Sequence, residues 1–225
     1  MNMNIEARIT AESVIVHQYR YFYYLANELA YKAIVDKHDN NAFGYAVGTV
    51  IMSYTTIETY FNHMLFSEEY ALRKLHEGMT DELKTRIERM SLPEKIEFAL
   101  RFQANAQIDF LNRGQEPYQS FDLLRQMRNL LVHYVPERET VWSESGEHVD
   151  NIKKLEKKLS GRFQFMSPAE IKPGDSTKAF LYRLFNRECA KWSFECVAPF
   201  MDALSKAFQI PMVPLERHWS LNGSS

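Results

Sequence analysis

The sequence feature that most constrains the fold is an uninterrupted helical stretch from Tyr118 to Val135, which Pro136 ends. No glycine or proline lies within it, and a proline cannot continue a helix. At about 100° per residue, its apolar side chains form one broad arc. Arg128 falls inside that arc. Because a guanidinium keeps its charge and is rarely buried alone, this face needs an acid or an anionic ligand nearby.

The rest of the chain has the same helical periodicity. Residues 6–37, 43–66 and 176–208 carry apolar side chains that step by three and four, and no alternating strand pattern lies between them. The composition suits a packed globular protein, since 45% of the residues are apolar and 25% are charged. The sequence therefore predicts an all-α bundle of about four to five core helices.

The predicted domain organisation is one all-α domain over residues 1–208, followed by an extended tail over 209–225. The more broken segment 67–117 is interpreted as a helical insert between the second helix and the motif helix. Residues 136–175 are predicted to be an irregular loop region that contains one short helix, over 149–160. We expect Ser176 or Thr177 to cap the last helix and Pro199 to kink or interrupt it.

Charge and cysteine usage exclude several classes of function. The formal net charge is −2, so any contact with nucleic acid has to be local. The two cysteines, Cys189 and Cys196, share one helix face without a Cys-x-x-Cys pair, so neither a structural metal nor a cofactor is predicted. The chain has no signal-like segment and no run of about 18 apolar residues. We therefore expect a cytoplasmic protein without a membrane segment.

The second helix carries a polar stripe, Thr55, Glu58 and Asn62, beside its apolar seam. Glu58 thus lies at the border of an apolar face, as Arg128 does on its own helix. Two helices with one charge each in the seam predict a buried ion pair, whose disruption costs about 3–5 kcal/mol. The alternative is a Glu58 that pairs with a surface lysine.

The hexapeptide from Arg128 to His133, Arg-Asn-Leu-Leu-Val-His, resembles the signature of the HEPN superfamily. These are small all-helical domains in which a histidine follows an arginine by several residues, with a polar residue favoured directly after the arginine. The segment from Ser53 through Glu58 to Asn62 is similar to an early helix of some HEPN families. The resemblance implies a HEPN-like bundle, cleavage of RNA without a metal, and a homodimer whose two motifs share one cleft.

The residue types in the motif suit this chemistry. His133 can accept or donate a proton near neutral pH, and Arg128 can hold a phosphate through two parallel hydrogen bonds. Asn129 lies four residues before His133, where its amide could orient the substrate or the imidazole. Arg128 and His133 point about 140° apart on a regular helix, so a catalytic site needs a second motif helix. These residues are the predicted catalytic group, with Glu58 and Asn62 in support.

A basic stripe supplies candidate contacts to an RNA backbone. Positively charged side chains recur on the short helix predicted after the motif, at Lys153, Lys154, Lys157 and Lys158. Arg125 is a further candidate, because it faces the same way as Asn129 and His133. A solvated lysine face is the simpler interpretation of the stripe.

Two hypotheses about function follow. In the first, the chain is an endoribonuclease that acts as a toxin or phage-defence component, with a cognate antitoxin or partner protein. In the second, it is a non-catalytic HEPN-like protein in which Arg128 and Glu58 are structural and the surface binds a partner protein or a nucleotide. Other helical scaffolds are the remaining alternative.

Overall fold

The structure is a computed structural model that describes residues 3–66, 78–102, 111–133, 154–166, 181–210 and Leu215, with the backbone alone for 3–17 and Phe66. Its helices are α1 (Met3–Val35), α2 (Asp39–Phe66), α3 (Asp81–Glu88), α4 (Leu92–Phe102), α5 (Tyr118–Val132), α6 (Arg187–Glu195) and α7 (Val197–Phe208). Short helical turns occupy 154–159 and 181–184. No strand occurs in these ranges, so the prediction of an all-α fold is confirmed.

Helix α2 is the centre of the bundle. It packs along α1 and also contacts α4, α5, α6 and α7. Its predicted apolar seam is buried, and so are hydroxyls on neighbouring faces, because partners surround the helix. Thr49 and Thr56 satisfy their hydroxyls by donating to backbone oxygens one turn earlier, at 2.8 and 2.7 Å. A Cβ on Gly48 would lie 3.1 Å from a Leu29 methyl group, so this glycine allows α1 to approach closely.

The described part of the predicted insert contains two helices, α3 and α4. Thr80 caps α3 by accepting a hydrogen bond from the Leu83 amide at 3.3 Å. Ser91 precedes α4, and its backbone N–H donates to the Glu94 carboxylate at 2.7 Å, as in a capping box. The insert also adds buried apolar side chains to the main core, namely Ile87, Leu92, Ile96 and Ala99. Residues 67–77 and 103–110 lie outside the described ranges.

The predicted final helix is divided in two. Asn186 caps α6, because its side-chain oxygen accepts a hydrogen bond from the Cys189 amide at 2.9 Å. Ser176 and Thr177 lie outside the described residues. The break falls at Cys196, so Pro199 sits in the first turn of α7, where a missing N–H needs no partner.

The start of the C-terminal tail is packed rather than extended. Gln209 adopts φ 55°, the left-handed conformation that ends many helices, and Ile210 is 4% exposed. The Ile210 amide donates to the Ser205 carbonyl at 2.9 Å, which closes the last turn. The prediction of a tail over 209–225 is untested beyond this point, since only Leu215 is described there.

An aromatic stack positions α5 against its neighbours. The Phe121 ring lies parallel to Phe200 of α7, with centroids 4.0 Å apart, and also stacks with Tyr54 of α2 at 6.1 Å. These rings belong to one hydrophobic cluster that extends from Tyr19 to Ile210. Burial of large aromatic surfaces on both sides therefore fixes the face that α5 turns to solvent.

Candidate functional site

The motif helix α5 is amphipathic, as predicted, but it is shorter. It ends at Val132, three residues before the expected end, and the His133 amide makes its last backbone bond, to the Asn129 carbonyl at 2.9 Å. Phe121, Leu124 and Met127 are fully buried on the core side. The second half of the helix is only half-buried, so the motif lies where α5 emerges from the bundle.

Arg128 packs against an aromatic ring. Its guanidinium carbon lies 5.3 Å from the centre of the Tyr54 ring, within the range of a cation–π contact. Its Nη1 also donates to the Asn129 side-chain oxygen at 3.1 Å. Burial, with a smaller effect of the Glu58 charge, raises the pKa of Tyr54 to about 12, so the phenol is neutral under Arg128. No acid among the described residues forms an ion pair with Arg128, so the Tyr54 ring and the Asn129 side chain are its partners there.

The predicted ion pair between Glu58 and Arg128 is wrong. No such contact within 4 Å occurs between these two described residues. Glu58 is half-buried one turn after Tyr54, and its negative charge acts instead on Lys95 of α4, where it opposes the lowering of the lysine pKa. The polar stripe of α2 therefore turns toward α4, which the spacing of residues within α2 could not reveal.

Lys95 is the charged residue that sequence reasoning missed. It is only 6% exposed, and its Nζ donates to the Asn62 side-chain oxygen at 3.0 Å. Burial lowers the pKa of the Lys95 ammonium. The sequence contained an indication of this burial. Lys95 lies three residues after Leu92 and four before Ala99, so it shares a helix face with these two buried residues. Lys95, like Arg128, is a charged residue within the apolar face of a helix, and such a residue needs a polar or charged partner.

The three motif residues, Arg128, Asn129 and His133, lie at the C-terminal end of α5. Arg128 and Asn129 are in direct contact through their side chains, and both are half-buried. His133 occupies the C-cap, where its imidazole is exposed. The backbone of His133 has φ −108° and ψ 20°, so the chain leaves the regular helix at this residue. The arrangement presents a positioned cation and an accessible proton acceptor on one end of the helix.

A basic cleft lies beside the first half of α5. It has a volume of about 550 Å³, and its positively charged lining residues are Arg113, Arg125, Lys158 and Arg162. Two of the predicted RNA contacts, Arg125 and Lys158, are thus brought together. Lys154 and Lys157 are exposed but do not line this cleft, and Lys153 lies outside the described residues. The predicted stripe therefore divides into one cleft lysine and two surface lysines.

Ion pairs orient the arginines of this cleft. Arg125 donates from Nε and Nη2 to the Asp122 carboxylate at 3.0 and 2.7 Å. Arg162 pairs with Glu116 and donates to the Gln119 side chain at 3.2 Å. Arg113 pairs with Glu97 at 2.7 Å. Lys158 is exposed and makes no ion pair with any residue that the structure describes.

The predicted core thiols Cys189 and Cys196 are both free and buried, and burial raises the pKa of Cys189 to about 12. Within the described ranges, no three His, Cys, Asp or Glu side chains are grouped so that they could hold a metal ion. None of the helices described is both long and apolar enough to cross a membrane.

Comparison with known proteins leaves the family open. No protein-family model, curated protein or solved structure gives a significant match to this chain. The resemblance to HEPN domains therefore stays a prediction, which rests on the residues from Ser53 to Asn62 and from Arg128 to His133.

Proposed function

We propose that the chain is a HEPN-type endoribonuclease that cleaves single-stranded RNA without a metal and acts as a homodimer. The observation that carries this proposal is the contact between Arg128 and Asn129, one helical turn before an exposed His133 at the end of α5. A guanidinium has five N–H donors, and the Asn129 bond occupies only one of them. The Tyr54 ring orients the group, and no further hydrogen bond from Arg128 to a described residue takes up the donors that this proposal assigns to a phosphate.

The proposed reaction assigns one task to each group. His133 removes the proton from a ribose 2′-hydroxyl, and the resulting oxygen attacks the adjacent phosphorus. Arg128 stabilises the negative charge that develops on the phosphoryl oxygens. The bond from phosphorus to the 5′-oxygen breaks, and that oxygen takes a proton from a second histidine. The products are a 2′,3′-cyclic phosphate and a 5′-hydroxyl, so no metal-bound water is consumed.

A second copy of the chain supplies the second histidine in this scheme. Val132, next to His133, is 50% exposed, which places an apolar side chain on the surface at the motif. In a two-fold dimer each copy offers the same patch to the other, so two motif helices meet around one axis. The proposed dimer buries Val132 and brings both histidines to one substrate.

The decisive assay incubates the purified protein with mixed single-stranded RNA in excess EDTA. We expect the wild type to cleave and to leave cyclic phosphate ends, whereas His133→Ala lowers the rate by roughly two to four powers of ten. His38→Ala is the matched control, because His38 is also exposed but lies in the turn between α1 and α2. Equal cleavage by the wild type and His133→Ala, or cleavage that EDTA abolishes, would contradict the proposal.

The alternative is a non-catalytic binding protein, and one observation favours it. Tyr54 and Asn129 give Arg128 partners without any ligand, so the guanidinium could be purely structural. Expression in cells separates this alternative from a very selective nuclease that is silent on mixed RNA. A toxin or phage-defence nuclease slows growth in a manner that His133→Ala abolishes, and a binding protein does not.

A further inference from the structure

We infer that the basic cleft beside α5 binds the phosphodiester backbone of an RNA strand, with Lys158 as its principal contact. This inference rests on the proposed function, since it names where the substrate of the motif continues along the protein. The cleft is formed within one copy of the chain and lies away from Val132 and His133. It is therefore a separate subsite from the one that a second motif helix would complete.

The balance of charge in the cleft favours an anion. Four cations and one carboxylate, Asp122, line it. Two further carboxylates, Glu97 and Glu116, hold Arg113 and Arg162 from outside the lining. A positive excess remains after these pairs are counted, although the whole chain carries a net charge of −2. Such a local concentration of cations is the expected footprint of phosphate contacts on an otherwise acidic protein.

The arginines keep donors for a ligand even though each has a carboxylate. Asp122 accepts from Nε and Nη2 of Arg125, which leaves Nη1 unused. A guanidinium held in this way is already oriented, so less side-chain entropy is lost when a phosphate binds. Lys158 adds an ammonium that makes no ion pair in the described part of the chain. A phosphate gives this lysine an ion-pair partner that the described residues do not supply.

Contacts on both sides hold the lysine segment in place. Leu155 and Leu159 are buried, and Glu156 pairs with Arg183 at 3.0 Å. At the other end, the bonds from Arg162 to Glu116 and Gln119 attach the segment to the start of α5. Lys158 is therefore presented to the cleft by a packed turn.

The distance between the cleft and His133 favours a polymer as the ligand over a single nucleotide. Arg125 lies eight residues before His133, which corresponds to about 12 Å along a helix axis. Successive phosphates of one strand rise about 3.4 Å along a duplex axis, and a single strand is more extended, so a few nucleotides span this separation. A strand can therefore engage the cleft and the motif together, whereas a mononucleotide reaches only one of them. Arg125 and Asn129, one turn apart on α5, mark the path between the two.

The test measures binding rather than cleavage. The inactive His133→Ala protein is titrated into a fluorescent single-stranded RNA at several salt concentrations. Adding Lys158→Ala should raise Kd about fivefold and lower the slope of log K against log salt by about 0.7, as the loss of one phosphate contact predicts. Lys37→Ala serves as the neutral control, because this exposed lysine lies in the turn between α1 and α2.

Three outcomes would overturn the inference. An equal loss with Lys157→Ala would assign binding to the exposed stripe, and unchanged binding with Lys158→Ala would remove the cleft. Competition by adenosine monophosphate at the concentration where RNA binds would make the ligand a mononucleotide. Failure of the nuclease proposal remains distinguishable, because Lys158-dependent binding by a protein that never cleaves would support the cleft and contradict the catalytic role of His133.

Discussion

Arg128 and Lys95 lie in apolar faces of two helices, and the protein accommodates them differently. Arg128 lies over the Tyr54 ring, whereas Lys95 donates to the Asn62 amide and feels the charge of Glu58. A guanidinium is planar and weakly hydrated, so an aromatic face can replace part of its water. An ammonium is compact and strongly hydrated, so it needs an oxygen atom. The chemistry of each cation thus explains its partner.

The raised pKa of Tyr54 predicts a loss of stability at high pH. The folded pKa, about 12, lies above the ordinary value of 10.0. The contribution of this phenol is therefore fully present below pH 10 and is lost as the pH rises through about 12. Tyr54→Phe keeps the ring and removes the ionising group, so it should reduce the alkaline loss in the free energy of unfolding by roughly 1 kcal/mol at pH 11.

Urea unfolding of the wild type and Tyr54→Phe at pH 8 and pH 11 checks this prediction. The difference between the two proteins isolates Tyr54, since every other tyrosine and cysteine is the same in both. An identical fall in stability for both proteins would show that Tyr54 ionises as readily in the folded state as in the unfolded state.

The capping side chains of α6 and α3 differ in how many hydrogen bonds they make to other segments of the chain. Asn186 caps α6 at the Cys189 amide, and its Nδ2 donates to the carbonyls of Gln164 and Arg183 at 2.9 and 3.1 Å. Thr80 makes a single cap bond to Leu83 on an exposed helix. One side chain therefore joins three segments, and the other serves only its own helix.

The two caps should respond unequally to removal. Asn186→Ala leaves the buried Cys189 amide without its cap and removes the bonds to the Gln164 and Arg183 carbonyls, so it should lower the free energy of unfolding by about 2–4 kcal/mol. Thr80→Ala should cost about 0.5–1 kcal/mol, the usual effect of an exposed cap. Chemical denaturation of both variants gives the comparison. Equal losses would mean that the bonds from Asn186 to Gln164 and Arg183 contribute nothing measurable.

At the scale of the whole molecule, the proposed function depends on a second copy. Light scattering at micromolar concentration should give twice the mass of one chain. Val132→Glu should produce a monomer and abolish cleavage, because it places a charge in the proposed isologous contact beside His133. Phe102→Glu is the matched control, since Phe102 is 59% exposed but lies on α4. A monomeric wild type would contradict the dimer and remove the second histidine from the mechanism.

Local patterns in the sequence were sufficient for the all-α class and for several helix ends. Periodicity identified α1, α2 and α5, and Thr80 and Ser91 are local capping residues at the starts of α3 and α4. These features depend on neighbours within a few residues, so the sequence itself contains their physical cause. The cap at Asn186 was missed although its bond to the Cys189 amide is also local, whereas its bond to the distant Gln164 carbonyl depends on tertiary packing.

Only the tertiary structure decided which side chains meet. The sequence showed that Arg128 and Glu58 each lie in an apolar face of a helix. In the packed structure, Arg128 contacts the Tyr54 ring, and the charge of Glu58 acts on Lys95. The cleft depends in the same way on Arg125 and Lys158, which a long connection separates in the chain. Periodicity determines the face of a helix on which a residue lies, whereas the neighbour across that face depends on how all the helices pack together.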